Sequence, residues 1–421
     1  MAELVDALDS KSSAFGHVGS SPTAPTAVMA TYNRFPLTLV RGKGCWVWDE
    51  QDRQYLDAVA GIATCSLGHS DKVLQRELSQ QLNKLQHVSN LYGIREQEDL
   101  ARWLVNHSCA DSVFFCNSGA EANEAAIKLA RKHGHLRRGI DRPVILTASS
   151  SFHGRTLAAL SATGQPNYHQ GFQPMLEGFE FFPYNDLESF EQLLNQLEAQ
   201  GPRVAAVLIE PLQGEGGVIP GDPAFFQGIR DLCSERQILL IFDEVQVGMG
   251  RTGHWWGYQQ LGVEPDAFTL AKGLGGGHAV GALLVKQKAD LFEPGDHAST
   301  FGGNPFACKA ALTVATEIER RELLSNVQQQ GDQLRAGLSN LVQGFPKQLK
   351  EARGWGLLQG LVIQEQSPIT ASNIVLAALD QQLLLVAAGP KVVRMVPPLV
   401  IQSGEIRQLL KQLEAAIKSC I

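Results

Sequence analysis

The sequence predicts an α/β fold: a large domain on a mostly parallel sheet, followed by a smaller C-terminal α+β domain. The main observation lies between about residues 77 and 315, where short apolar runs alternate with helical periodicity. The runs cover residues 113–116, 144–147, 204–209, 238–242, 268–270 and 281–285, and nearly every residue in them is apolar. Strands of that kind are buried by helices on both faces. Helices are expected over 121–133 and 225–236. Beyond about residue 316 the pattern changes: two or three amphipathic helices surround the apolar runs 356–363 and 383–387, which marks the smaller domain, 316–421.

Ahead of the large domain (77–315) lie two other stretches. Residues 1–28 are rich in Ser, Ala, Pro and Thr and would gain little burial on ordering, so a disordered extension is expected. In the segment 29–76, residues 44–57 alternate apolar side chains around an acidic turn, which reads as a hairpin.

Composition narrows the partners. With 44% hydrophobic and 19% charged residues, the 421-residue chain can bury a large core in two or three lobes. The net charge is −7, and no block of basic residues appears. The densest cluster, Arg131-Lys132-His133 with Arg137-Arg138, reads as a solvated helix end, so neither nucleic acid nor membrane is an expected partner. No run of 18 apolar residues occurs, and the first residues are acidic where a targeting peptide would be basic. A cytoplasmic protein is the expectation. The seven cysteines include no C-x-x-C pair, and the spacing of Cys109 and Cys116 matches no common zinc pattern, so free thiols are expected. His69, His133, His135, His153, His278 and His297 show no metal-binding spacing, and no metal site is predicted.

In open parallel sheets, ligands bind beyond the carboxyl ends of the strands. The residues that follow each apolar run therefore carry the chemistry. Asp243 closes one run. A carboxylate there needs a partner: a protonated ring nitrogen, a metal or a helix N-terminus. Lys272 closes another and is followed by Gly273, Gly275, Gly276 and Gly277. Burial lowers a lysine's pKa and makes its amine nucleophilic, as Schiff-base chemistry requires. The glycines let the backbone pass close to a ligand. After residue 116 come Asn117-Ser118-Gly119-Ala120 and a helix, which is either an anion-binding N-terminus or an ordinary cap. Phe152, beyond the 144–147 run, can stack on a flat ring, and Arg155 can hold a carboxylate bidentately. Gly248-Met249-Gly250-Arg251-Thr252-Gly253 looks like a nucleotide loop but does not open a βαβ unit.

Taken together and in order, these stretches resemble the class III (ω-) aminotransferases, and within them the acetylornithine group. The resemblance runs from about Tyr32 to the C-terminus. It is carried by residues 117–124, 152–156, 210–217, 243–246, 248–253, 271–273, 299–305 and 394–398.

The resemblance implies a fold-type I pyridoxal 5′-phosphate (PLP) enzyme, working as a homodimer with shared active sites. Lys272 would bond the cofactor and shuttle a proton, and Asp243 would pair with the pyridine nitrogen. Phe152 and Val245 would flank the ring, and Gln246 would lie near its hydroxyl. Ser118, Gly119 and Ala120 would hold the phosphate, joined by Thr300 from the neighbouring subunit. Arg155 would bind the carboxylate of N-acetylornithine and the distal carboxylate of glutamate, with Ser299 near the donor. Arg394 would bind the α-carboxylate of glutamate or 2-oxoglutarate, and Glu215 would neutralise Arg394 when the donor is bound. Ile62 stands where enzymes acting on free ornithine usually carry a tyrosine. Another ω-aminotransferase using 4-aminobutyrate, succinylornithine or ornithine is the nearest rival. An aminomutase of the glutamate-1-semialdehyde type, or a non-catalytic relative, is more remote.

Overall fold

The computed structural model describes residues 27–421. The extension expected over residues 1–28 lies outside them except for its last two positions. Strands β1 (Leu39–Lys43), β2 (Trp46–Asp49) and β3 (Gln54–Asp57) open the structure, and β2 and β3 form the expected hairpin. Asp49 shapes its turn: Oδ1 accepts from the backbone N–H of Gln51 at 3.0 Å and of Arg53 at 2.9 Å.

The central sheet contains β4 (Ser112–Cys116), β5 (Val144–Ala148), β6 (Phe179–Phe182) and β7 (Val204–Ile209). After the short ribbon of β8 (Leu212–Gln213) and β9 (Ile219–Pro220), it is completed by β10 (Leu239–Asp243), β11 (Ala267–Leu270) and β12 (Gly281–Val285). The order is β4-β12-β11-β10-β7-β5-β6. Only β12 runs against its neighbours. All six expected runs are strands, each end within one residue of its expectation. Every residue of β7 is buried, as two-sided helical cover requires. β6 was not expected. It is a four-residue edge strand with Glu180 and Phe181 exposed, so it presents no apolar run to read.

The helix Gly119–Arg138 extends the expected 121–133 at both ends. Ser118 Oγ caps its start by accepting from Glu121 N at 3.2 Å, and Gly139 ends it in a left-handed conformation, φ 63°. Its buried face is small, with Ala122, Ala125, Ala126 and Ala130, so the helix lies close against β7, β11 and β12. The helix Pro223–Glu235 starts at the cap Asp222, with proline in the first turn.

The helix Pro305–Arg320 runs through residue 316, where the sequence changes character, so the passage to the C-terminal part is continuous helix. That part contains the helices Leu323–Gly344, Ala371–Asp380 and Ser403–Ser419. Its sheet is built from β13 (Leu349–Trp355), β14 (Leu358–Ile363), β16 (Val386–Ala387) and β17 (Val392–Met395), all antiparallel. Between them β15 (Leu383–Leu384) pairs in parallel with β3, which joins the N-terminal hairpin to the C-terminal part. All seven cysteines are free thiols, four of them buried. Among the described residues, no helix is long and apolar enough to cross a membrane.

Candidate active site

Because the parallel strands share one direction, the ends of β4, β5, β7, β10 and β11 meet at one rim. A cavity of about 490 Å³ opens there. Ten of the thirteen residues singled out in the sequence line it: Ser118, Gly119, Ala120, Phe152, Arg155, Glu215, Asp243, Val245, Gln246 and Lys272.

Lys272 follows β11 by two positions and adopts φ +38°. A left-handed backbone at a residue with a side chain costs about 1–2 kcal/mol. The turn that enforces it runs from Leu274 N to Ala271 O (2.8 Å) and from Gly275 N to Lys272 O (3.1 Å). Lys272 Nζ takes no hydrogen bond or ion pair among the described residues. Burial holds its pKa below the ordinary lysine value, against the opposing charge of Glu215.

Asp243 is held from three sides. Its Oδ2 accepts from Asn123 Nδ2 at 2.8 Å and faces His153 Nδ1 at 2.8 Å. Beside a carboxylate, Nδ1 is the donor. Oδ1 accepts from Val245 N at 3.0 Å. Asn123 is itself fixed: its Nδ2 also donates to His153 O at 2.7 Å, and its Oδ1 accepts from Thr269 Oγ1 at 2.8 Å. His153 Nε2 is buried without a partner among the described residues. Both donors to Oδ2 come from elements other than β10, so the carboxylate's orientation is locked.

Glu210 follows β7 directly. One oxygen accepts from Phe152 N and the other from Gly214 N, each at 3.0 Å. It thus ties the loop that carries Phe152 and Arg155 to the loop that carries Glu215. Burial pushes its carboxyl up to about 7. A side chain at Gly214 would displace the Gln246 carboxamide that packs against it.

Arg394, on β17, reaches the rim from the smaller sheet. It is 1% exposed, and its Nη1 donates to Glu215 Oε1 at 2.6 Å and to Gln246 Oε1 at 2.9 Å. Burial alone would raise the Glu215 pKa, but Arg394, then Lys272, hold it below the ordinary value. Arg394 Nε is buried without a partner among the described residues. Arg155 forms no ion pair among them. The nucleotide-like loop proves to be a strut: buried Arg251 donates through Nη1 to the carbonyls of Leu357 and Pro397, the latter just beyond β17.

Ser299 and Thr300 stand outside the cavity. Ser299 Oγ accepts from Asn117 Nδ2 at 3.2 Å and from Gly302 N at 2.9 Å, while Thr300 is exposed. Ile62 is 38% exposed, in a turn where Ala60, Gly61, Ile62 and Ala63 all have positive φ. That turn leads into Thr64 on the cavity wall.

Sequence reasoning did not assign Asn123 or Glu210 and said of His153 that it shows no metal-binding spacing. Glu210 had a signal, since it follows a strand as Asp243 and Lys272 do. Asn123 had a weaker one, a polar residue four positions after Gly119 on an otherwise apolar helical face.

A flat anionic cofactor suits this donor set. The N–H groups of Gly119 and Ala120 open a 20-residue helix without intrahelical acceptors. Lys272 has a free amine, Asp243 an anchored carboxylate, and Phe152 and Val245 both face the cavity.

The sequence profile of the family described as aminotransferase class-III matches residues 27–417. An acetylornithine aminotransferase of Prochlorococcus marinus (strain MIT 9313) is 78% identical over 414 residues, covering 98% of this chain and 99% of that protein. The crystal structure of N-acetylornithine aminotransferase from Stenotrophomonas maltophilia K279a superposes with TM-score 0.80 at 39% identity, covering 92% of this chain and 97% of that one. An ornithine aminotransferase from Toxoplasma gondii, reported with partial occupancy of PLP at its active site, superposes with TM-score 0.87 at 31% identity, covering 93% and 92%.

Proposed function

This chain belongs to the class-III aminotransferases, and from that premise we propose that it transfers the δ-amino group of N-acetylornithine to 2-oxoglutarate. The products are N-acetylglutamate 5-semialdehyde and glutamate, a step of arginine biosynthesis. The observation that carries the reading is the Glu215–Arg394 pair at 2.6 Å, in which Glu215 lines the same cavity as Lys272 and Asp243 and buried Arg394 backs it. An enzyme that takes two different substrates in turn through one site needs a carboxylate receptor that can be switched. A buried arginine with an anionic partner meets that need, because leaving either charge buried and unpaired is costly.

PLP, when bound, supplies a carbonyl that takes up the amino group and a ring that accepts the electron pair of the substrate carbon. Gly119 and Ala120, with Ser118, hold its phosphate through the helix N-terminus. Phe152, Val245 and Gln246 line the cavity, where the first two would flank its ring and Gln246 would serve its hydroxyl. Asp243 keeps a proton on the ring nitrogen. Lys272 anchors the cofactor covalently and moves the proton at the substrate's amine-bearing carbon. Its depressed pKa supports this, since only the neutral amine can accept that proton. Arg155 holds the α-carboxylate of the donor and, in the second half-reaction, the distal carboxylate of glutamate. Glu215 covers Arg394 while the donor is bound and frees it for the α-carboxylate of glutamate or 2-oxoglutarate. Ser299 reaches the donor from the cavity mouth.

The enzyme works as a homodimer. Leu91, Tyr92 and Phe301 are exposed in the segments that flank Thr300, and Asn90 Nδ2 ties these segments together by donating to Ser299 O and Gly302 O. Exposed apolar side chains next to Ser299, which accepts from Asn117 on the cavity wall, support a second copy seated there, with Thr300 serving the partner's phosphate site. Seven free thiols fit a reducing, cytoplasmic compartment.

The testing experiment is a half-reaction screen by cofactor absorbance, using N-acetylornithine, ornithine and 4-aminobutyrate. N-acetylornithine should convert the cofactor fastest. A faster reaction with free ornithine would replace this reading with that of an ornithine enzyme.

A further inference from the structure

Arg155 is exposed in the described chain and takes no hydrogen bond or ion pair there, yet its guanidinium has a defined position. It lies 4.1 Å from the ring centroid of Tyr168 and 5.4 Å from that of Phe152. The two rings meet edge to face, with centroids 5.9 Å apart and planes at 78°. Tyr168 thus touches both the residue facing the cofactor cavity and the cation beside it.

The turn that carries Tyr168 is firmly anchored. Gln165 Nε2 donates to Ser151 O at 3.0 Å. His169 Nε2 lies 2.9 Å from both Leu160 O and Thr163 O. Carbonyl oxygens only accept, so that nitrogen is the donor. Tyr168 N closes the turn by donating to Gln165 O at 3.0 Å. The phenol hydroxyl makes no hydrogen bond among the described residues, so the ring face is what Arg155 meets.

We propose that Tyr168 is the positioning residue for substrate-carboxylate recognition: its ring fixes the Arg155 guanidinium by cation–π stacking and leaves the N–H edge free for a carboxylate. An arginine side chain is rich in rotamers, and a receptor that is already ordered loses less of that freedom on binding. Stacking occupies the face of the guanidinium and leaves its in-plane donors unused, which suits bidentate capture. The proposal rests on the reading of Arg155 as the donor-carboxylate receptor.

The test uses the dimeric holoenzyme and two donors: N-acetylornithine, and N-acetyl-1,4-diaminobutane, which is the same amine without the carboxylate. Tyr168→Leu should raise KM for N-acetylornithine by about two- to five-fold with little change in kcat. It should leave the carboxylate-free donor unaffected and the cofactor absorbance unchanged. Tyr168→Phe, which keeps the ring, should match the unaltered enzyme with both donors. Equal weakening of both donors, no effect of Tyr168→Leu, or a Phe variant that behaves like the Leu variant would overturn the proposal. Arg155→Ala separates the two claims. If it spares N-acetylornithine, the receptor assignment fails and the proposal with it. If it weakens N-acetylornithine while Tyr168→Leu does not, only the proposal fails.

Discussion

Arg394, on β17, and Glu215, on the loop between β8 and β9, lie 179 residues apart in sequence, yet Nη1 and Oε1 meet at 2.6 Å. Arg394 is buried and Glu215 retains 22% side-chain exposure. The carboxylate is therefore the partner with somewhere to go. Gln246 lines the same contact, with Oε1 2.9 Å from the arginine, so Arg394 keeps a neutral acceptor when Glu215 leaves.

Arg394→Ala should lower kcat/KM for glutamate about 10- to 100-fold, the range for losing a hydrogen bond to a charged group. The N-acetylornithine half-reaction should fall less. Glu215→Ala should do the reverse, weakening N-acetylornithine while sparing glutamate. Single-turnover absorbance with each amine reads the partition, and parallel losses for both substrates would contradict a switch.

Lys272→Ala should remove at least about 10²–10⁴-fold of turnover, the share of a positioned acid–base group. The fold should persist, because Nζ bonds to no described residue. After borohydride treatment, peptide mass mapping should place the cofactor on Lys272 in the unaltered protein. Turnover close to normal in the variant would remove the assignment.

Glu244, between Asp243 and Val245 but not on the cavity wall, supplies a stability test. Its oxygens accept from Gly257 N at 2.6 Å and Tyr258 N at 2.7 Å, yet burial pushes its carboxyl from 4.5 up to about 8. Between those values the unfolded chain has lost the proton and the folded one keeps it. Stability therefore falls as pH rises from about 5 to about 8. Glu244→Gln removes that titration at a fixed, pH-independent cost. Across that window, wild type should lose on the order of a few kcal/mol relative to the variant. Melting temperatures measured at several pH values give the comparison, and a constant gap would show that Glu244 does not titrate there.

The shared site makes a prediction for mixed dimers. Lys272→Ala removes the lysine, and Thr300→Glu sets a negative charge against the partner's cofactor phosphate. Each homodimer should be nearly inactive. Co-expressed in equal amounts, the two chains should recover on the order of a quarter of full activity, since half the dimers are mixed and each carries one intact site of two. No recovery, with mixed dimers confirmed by tagged purification, would mean that Thr300 serves its own chain.

The sequence disclosed the sheet wherever burial was two-sided, because such strands must be apolar throughout. It missed β6, whose outer face meets solvent. It found Lys272 and Asp243 because strand ends are where a parallel sheet presents ligands. Asn123 and Tyr168 left little trace, since neither sits at a strand end and each acts only through a neighbour.

The sequence by itself determined the α/β alternation, the strand ends that lead into Lys272, Asp243 and Phe152, and the resemblance that orders them and adds Glu215. Local patterning suffices for these, because burial and periodicity act over a few residues. The tertiary structure alone decided which side chains hold those residues. His153 and Asn123 lie 90 and 120 positions from Asp243, yet both reach its Oδ2. Tyr168 reaches Arg155 only because Gln165 and His169 pin its turn to the rim. Hydrogen bonds and ring contacts are satisfied within a few ångströms, and a chain's spacing does not encode which distant residues the packing of its sheet brings that close.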